Sequence, residues 1–162
     1  MPYVIFDLDG TVINSDHRKA SLPDGSLDLA HWIENSTPEK IALDTLLPLA
    51  RVMRILYAAG NTIVVCTARC IETPEIQEAF DDFFAANNLP FHEFLCREPG
   101  NNENDETLKV RLLKNYFKSE GFVSPAEANA IFFDDNLKVL DAVGKIGITC
   151  YDSTICNRRL AA

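Results

Sequence analysis

Tyr3-Val4-Ile5-Phe6-Asp7-Leu8-Asp9-Gly10-Thr11 is the stretch whose reading decides the fold. Four apolar residues, all β-branched or aromatic, run directly into two carboxylates, a glycine and a threonine. A short apolar run of this kind reads as a strand buried on both faces, and the acids mark its carboxyl end. Asp7 and Asp9 stand two apart, so in an extended segment their side chains point to the same side.

The same punctuation recurs outward along the chain. Thr62–Cys66 is a second apolar run, ending in Thr67-Ala68-Arg69. Phe91–Leu95 runs into Arg97-Glu98, Ala130–Phe133 into Asp134-Asp135-Asn136, and Gly147–Cys150 supplies a fifth run. Between them lie segments with helical spacing. The pattern predicts helices over 41–59, with Leu46, Leu49, Ala50, Met53 and Leu56 on one face, and over 74–87, with Thr73 as N-cap and Pro74 at its first position. Two more are expected over 108–118 and 137–143. Strands alternating with helices imply an α/β fold, a Rossmann-like three-layer sandwich with a central parallel sheet and right-handed crossovers. Residues 1–162 read as one domain. The polar stretch from Asn14 to Pro38 is too long for a turn and is read as a flap, a minimal cap over the site.

Composition narrows the classes. Of 162 residues, 47% are apolar and 24% charged, an ordinary globular balance, and no run reaches the length of a membrane span. The start, Met1-Pro2-Tyr3, lacks the basic region of a secretory leader. A net charge of −9 argues against stable binding to a nucleic-acid duplex, though not against contact with the end of a strand. The five cysteines are odd in number and form no CxxC pair, so Cys66, Cys96 and Cys150 read as small apolar residues at strand ends, in a reducing cytoplasm.

In open parallel sheets the ligand sits outside the carboxyl ends of the strands. Here those ends carry Asp7, Asp9, Thr67, Arg69, Arg97, Asp134 and Asp135. Carboxylates crowded on one edge repel one another and call for a cation. Oxygen-only ligation favours Mg²⁺, which shares one or two protein carboxylates with a substrate phosphate. One of the first pair can attack phosphorus while the other moves the proton. Gly10 allows a close turn, and its N–H and that of Thr11 are available to phosphate oxygens.

Asp7-Leu8-Asp9-Gly10-Thr11 resembles the DxDGT signature of the haloacid dehalogenase superfamily, and the resemblance covers nearly the whole chain. Thr67 after an apolar strand looks like the second motif and Asp134-Asp135 like the fourth. The resemblance implies a phosphatase that works through an aspartyl-phosphate: Asp7 as nucleophile, Asp9 as general acid/base, and Thr67 on a phosphate oxygen. Asp7, the Asp9 backbone carbonyl, Asp134 and Asp135 would hold Mg²⁺. The third motif is a lone base, for which Lys109 and Lys114 compete; Lys109 opens the helix nearer the strand ends and is preferred.

A narrower likeness follows from His17-Arg18, Trp32, Thr67-Ala68-Arg69, Arg97-Glu98-Pro99-Gly100 and Asp105 ahead of Lys109. This order is similar to the 3′-phosphatase domain of phage-type polynucleotide kinases. It implies a phage-encoded protein of the host cytoplasm that removes 3′-phosphates from nucleic-acid ends. Arg69 would clamp the phosphate, helped by Arg18 and Arg97; the competing readings are a helix-start Arg69 paired with Glu72 and surface-loop positions for the other two. His17 and His31 read as surface groups and Trp32 as an apolar lid residue. A small-molecule phosphatase such as a nucleotidase is the alternative substrate reading, and an inactive binder of phosphorylated ligands is the third. About 25 flap residues are too few for a separate lid domain. Such an open mouth suits strand ends, and equally a homo-oligomer in which a second copy supplies the lid.

Overall fold

The computed structural model describes residues 2–162. Its strands are β1 (Tyr3–Phe6), β2 (Ile13–Asn14), β3 (Thr45–Leu46), β4 (Thr62–Cys70), β5 (Glu93–Arg97), β6 (Ile131–Asp134) and β7 (Thr149–Asp152). Five of them form one sheet in the order β5-β4-β1-β6-β7, every pair parallel. The first strand of the chain is thus the central one, and both its neighbours are separated from it by long crossovers. That order puts Asp7 in the middle of the sheet's carboxyl edge, flanked by Thr67 on β4 and Asp134 on β6.

Seven α-helices complete the chain among the described residues: α1 (Leu29–Glu34), α2 (Pro38–Ile41), α3 (Leu49–Ala58), α4 (Pro74–Ala86), α5 (Asp105–Ser119), α6 (Leu137–Gly144) and α7 (Ser153–Ala161). The two-residue side-chain period of β1 divides the interior. Val4 and Phe6 face a core built with Met53 of α3 and Phe80, Phe83 and Phe84 of α4. Ile5 faces a second core with Leu108, Leu112, Leu113 and Phe117 of α5 and Val139 and Val143 of α6. Helices on both faces of a parallel sheet make the three-layer sandwich expected of the sequence.

Several boundaries differ from the expectation, each for a local reason. The helix expected over 41–59 is α3 alone. Pro48 biases Leu47 toward extended backbone, and Thr45–Leu46 pair antiparallel with β2, Ile13 against Leu46. Residues 15–44 therefore leave and rejoin the domain through a small hairpin, and they carry α1, α2 and a 3₁₀ turn at Asp16–Arg18. The last strand runs over Thr149–Asp152 rather than 147–150. Gly147 has φ +89°, and a Cβ there would stand 2.4 Å from Cβ of Ala126, so it is a turn residue. Helix α5 begins at Asp105, with the Asn104 side chain accepting from Thr107 N–H, rather than at Leu108.

The C-terminal residues form α7. Asp152 caps it, accepting from Thr154 and Ile155 N–H. The helix also fastens the site loop from behind. Asn157, buried, accepts from Leu49 N–H at 2.8 Å and donates to the Thr11 carbonyl at 2.9 Å. One side chain thus ties α7, the start of α3 and the loop after β1 together.

Asn157→Ala removes both bonds and strands a buried carbonyl, a loss of about 1–3 kcal/mol. Denaturant unfolding is expected to show it, whereas the exposed Arg159→Ala stays within about 0.5 kcal/mol of the parent; equal stability of the two variants would remove Asn157 from this role.

Candidate active site

The loop after β1 is wound tightly on its own backbone. Thr11, Val12 and Ile13 N–H all donate to the Leu8 carbonyl, at 3.1, 3.0 and 3.0 Å, and Gly10 N–H donates to Ile13 at 2.9 Å. Gly10 has φ +80°, and the Asp135 carboxylate occupies the place a Cβ would take. Both N–H groups expected to face phosphate, those of Gly10 and Thr11, are therefore engaged within the loop. Thr11 is fully buried, and its hydroxyl meets that of Ser153 at 2.9 Å. These two residues shape the loop and are not available as phosphate donors in this arrangement.

At the carboxyl edge, Asp7 N–H donates to the Phe133 carbonyl at 2.9 Å, which locks the end of β1 to β6. Lys109 reaches in from the first turns of α5. Its Nζ lies 2.6 Å from Oδ1 of Asp7 and 2.7 Å from Oδ2 of Asp134, with all three side chains buried. Lys114 instead lines a shallow groove outside α5 and α6, with Glu106 and Ala142, so geometry separates the two candidate lysines. The other Asp134 oxygen accepts from Asn136 N–H at 2.8 Å. Thr67 is buried in the cleft wall, its Oγ1 accepting from Arg69 N–H at 3.2 Å.

Asp7, Asp134 and Asp135 each bring an oxygen within 4.8 Å of the others. Three carboxylates there face one ammonium, an excess of two negative charges, which a single divalent cation matches. Burial pushes the Asp7 carboxyl well above its ordinary value, with Asp134 and Asp9 adding to the rise against the pull of Lys109. Burial also raises Asp135, with Asp134 contributing. For Lys109, burial alone would lower the ammonium, but Asp7 and Asp134 outweigh it and hold it above the lysine range. All-oxygen donors with surplus charge fit a hard cation such as Mg²⁺. The Asp9 carboxylate does not join this cluster, so only its backbone carbonyl is left for an ion.

Asp9 turns instead toward the flap. Ser15 Oγ donates to it at 2.5 Å, and two guanidinium nitrogens of Arg69 grip both its oxygens. Burial would raise this carboxyl, but Arg69, then Ser15 and Arg18, hold it below the ordinary carboxylate value. Arg69 lies on β4, not at a helix start, and pairs with Asp9 and Asp44 rather than Glu72. Its third nitrogen, Nη1, is buried with no partner among the described residues.

The other two arginines depart from expectation. Arg18 is neither a surface residue nor part of the cleft lining. It is fully buried, donating to both oxygens of Asp44 at 2.9 and 2.7 Å and to Ser36 at 3.0 Å, with its guanidinium 4.6 Å from the Trp32 ring centre. Arg97 borders the cleft, but its donors go to the carbonyls of Ala68, Asn101 and Glu103 and to Asp105 at 2.8 Å. It pins the 98–105 loop, with all three guanidinium nitrogens bonded within the protein. His17 contacts Asp44 at 2.8 Å, and Trp32 borders the cleft between the Arg18 and Arg69 guanidiniums.

Asp44 and Ser15 are the polar residues the sequence reading missed. Asp44 lies inside the stretch expected to be helical, and no local signal in the sequence marks it as the partner of Arg18 and Arg69. The five cysteines are all free, and burial pushes the Cys66 thiol up to about 12, as for a small apolar residue. Among the described residues, no helix is long and apolar enough to cross a membrane.

Comparison with known proteins bears on the same residues. The family model described as bacteriophage T5 5′-deoxynucleotidase matches residues 2–75, which hold the first loop, the flap and Thr67 to Arg69. The 5′-deoxynucleotidase of Escherichia phage T5 is 44% identical over 70 residues, 41% of this chain. The match spans only 29% of that relative's length. A chain of a Pnkp1/Rnl/Hen1 complex superposes with TM-score 0.69 at 20% identity, over 94% of this chain and 45% of that one. A haloacid dehalogenase-like hydrolase from Streptococcus pneumoniae gives 0.63 at 12% identity, over 98% and 91%. A Bacteroides thetaiotaomicron enzyme of the same family, crystallised with magnesium and inorganic phosphate, gives 0.52 at 12% identity, over 94% and 93%. The fold is that of the haloacid dehalogenase-like proteins.

The charge surplus predicts that Mg²⁺ stabilises the protein. At a hundredfold its dissociation constant the gain is about 2.7 kcal/mol, or roughly 2–4 °C in Tm per kcal/mol. Asp134→Asn is expected to abolish the Mg²⁺-dependent rise, and an undiminished rise in that variant would remove Asp134 from the ion site.

Proposed function

We propose that the chain is a Mg²⁺-dependent phosphomonoester hydrolase that forms an aspartyl-phosphate on Asp7 and acts on nucleoside monophosphates. The observation that carries the reading is the buried Lys109 bridge between Asp7 and Asp134 beside the exposed Asp135, a group short of one divalent charge. Asp7, Asp134, Asp135 and the Asp9 carbonyl would hold Mg²⁺, which when bound would offset the repulsion between the carboxylates and an incoming phosphate.

In the first half-reaction an Asp7 oxygen bonds to phosphorus as the bond from phosphorus to the leaving oxygen breaks. Asp9 delivers a proton to that oxygen. In the second, a water oxygen attacks phosphorus, Asp9 takes the water's proton, and the bond from phosphorus to Asp7 breaks. The net change is hydrolysis to an alcohol and inorganic phosphate. Thr67 and Lys109 offer donors for the phosphoryl oxygens as charge develops. Arg69 contributes its unpartnered Nη1, the one buried donor in this region without an acceptor among the described residues. A phosphate that draws Arg69 away from Asp9 also removes the cation holding Asp9 ionised, which favours the protonated form needed for the first step.

The nucleotide reading rests on the match over residues 2–75, which includes the flap. Removal of 3′-phosphates from nucleic-acid ends is the second reading, favoured by the likeness in fold to the repair-complex chain and by a cleft that is open to solvent. An inactive phospho-ligand binder is opposed by Asp7, Asp9, Thr67 and Asp134 all standing at one cleft.

A panel of nucleoside 5′- and 3′-monophosphates and 3′-phosphorylated oligonucleotides, with and without Mg²⁺, separates these. Mononucleotide turnover that needs Mg²⁺ is expected; turnover of the oligonucleotides alone would transfer the protein to the second reading. Asp7→Asn is expected to lower kcat by at least about a thousandfold. Asp9→Asn is expected to cost about 10²–10⁴ with alcohol leaving groups and far less with an acidic phenol, since only the former needs the proton. Equal losses with both leaving groups would refute proton transfer by Asp9.

A further inference from the structure

We infer that Leu29 and Ile33 of the flap, which line one cleft with Ile76, form with it an apolar slot that takes the nucleobase of the substrate. The inference rests on the nucleotide reading above. Helix α1 has six residues, and its contacts run through Trp32 to the Arg18 and Arg69 guanidiniums and through Ser36 to Arg18. Leu29 and Ile33 are four apart and share one face. They remain 61% and 59% exposed, and neither packs into either of the two cores. A flap helix needs its apolar face covered to be stable. These two side chains stand outside both cores, and both line the cleft that also holds Asp7, Asp134 and Asp135.

The cleft holds about 730 Å³, within the range of small-molecule sites and larger than a phosphate alone requires. The cleft lining also includes Ile76 and Phe80 of α4, with the Arg69 guanidinium stacked on Phe80 at 4.6 Å. A cleft that combines carboxylates with Leu29, Ile33, Ile76 and Phe80 suits a substrate that is charged at one end and flat and apolar-faced at the other. A nucleoside monophosphate has that division; a sugar phosphate would leave the slot wetted.

Trp32 is the chain's only tryptophan and borders the same cleft, so its fluorescence reports occupancy without turnover. The full chain is titrated with an unphosphorylated deoxynucleoside and with ribose 5-phosphate, and compared with a Leu29→Ser/Ile33→Ser variant, both positions being exposed enough for the fold to tolerate the change. The nucleoside is expected to alter Trp32 emission and to bind about tenfold more weakly to the variant. KM for a nucleoside monophosphate should rise by a similar factor with kcat changed less than about twofold, while kcat/KM for ribose 5-phosphate stays level. Equal effects on both phosphates, or none on either, would overturn the slot. So would a change in self-association without a change in nucleoside binding, which would assign this face to a second copy of the chain. A protein that hydrolyses nothing but loses nucleoside binding in the variant would support the slot while sinking the hydrolase reading.

Discussion

Repulsion among carboxylates at one edge of a parallel sheet is the constraint around which this molecule is organised. Asp7 and Asp134 end adjacent strands, so their proximity follows from the register of β1 with β6 and no loop rearrangement can relieve it. Lys109 bridges them, with Nζ within 2.7 Å of an oxygen on each. A buried ion cluster contributes little net stability compared with an apolar core, yet removing one member costs about 3–5 kcal/mol because the remaining charge is stranded. The cluster is thus poor as a stabilising device and sensitive to any change, which is the behaviour of groups retained for chemistry. The surplus negative charge that Lys109 leaves uncompensated is what the proposed divalent cation would offset.

A second charge cluster governs the flap. Arg18 and Arg69 share Asp44, Arg69 continues to Asp9, and Trp32 lies against both guanidiniums. The flap is therefore joined to the candidate acid/base residue through buried pairs. Two of the three arginines that the sequence suggested for substrate, Arg18 and Arg69, differ in their remaining capacity. Arg18 has its donors committed to Asp44 and Ser36, while Arg69 keeps one nitrogen free beside the cleft. Burial of an unmet guanidinium donor is costly, and an arriving anion relieves it.

The sheet and its acidic edge were legible because they depend on local signals: apolar runs of strand length, three of them stopped directly by Asp or Thr, and helical spacing between them. Asp7, Asp9, Thr67, Lys109, Asp134 and Asp135 all stand at one cleft for that reason. What was illegible depends on distant partners. Leu46 matched the helical period but pairs with Ile13 in a hairpin, and Pro48 was the overlooked stop. Gly10 and Thr11 carry donors suited to phosphate, yet whether those donors are free depends on how the loop closes on Leu8 and Ile13. Arg18 and Arg97 looked like ligand contacts because a sequence shows charge without its partner; Asp44 and the 98–105 backbone consume that charge.

The central claim is that phosphorus passes through Asp7. Acid quenching of the protein during steady turnover of a phosphomonoester with Mg²⁺, followed by peptide mass spectrometry, tests it without reference to rates or substrate choice. The account predicts a phosphorylated peptide whose fragment ions place the group on Asp7, enriched when Asp9 is replaced by Asn and an acidic phenol is the leaving group. A protein that turns over under these conditions yet gives no adduct, or one on another residue, would contradict it.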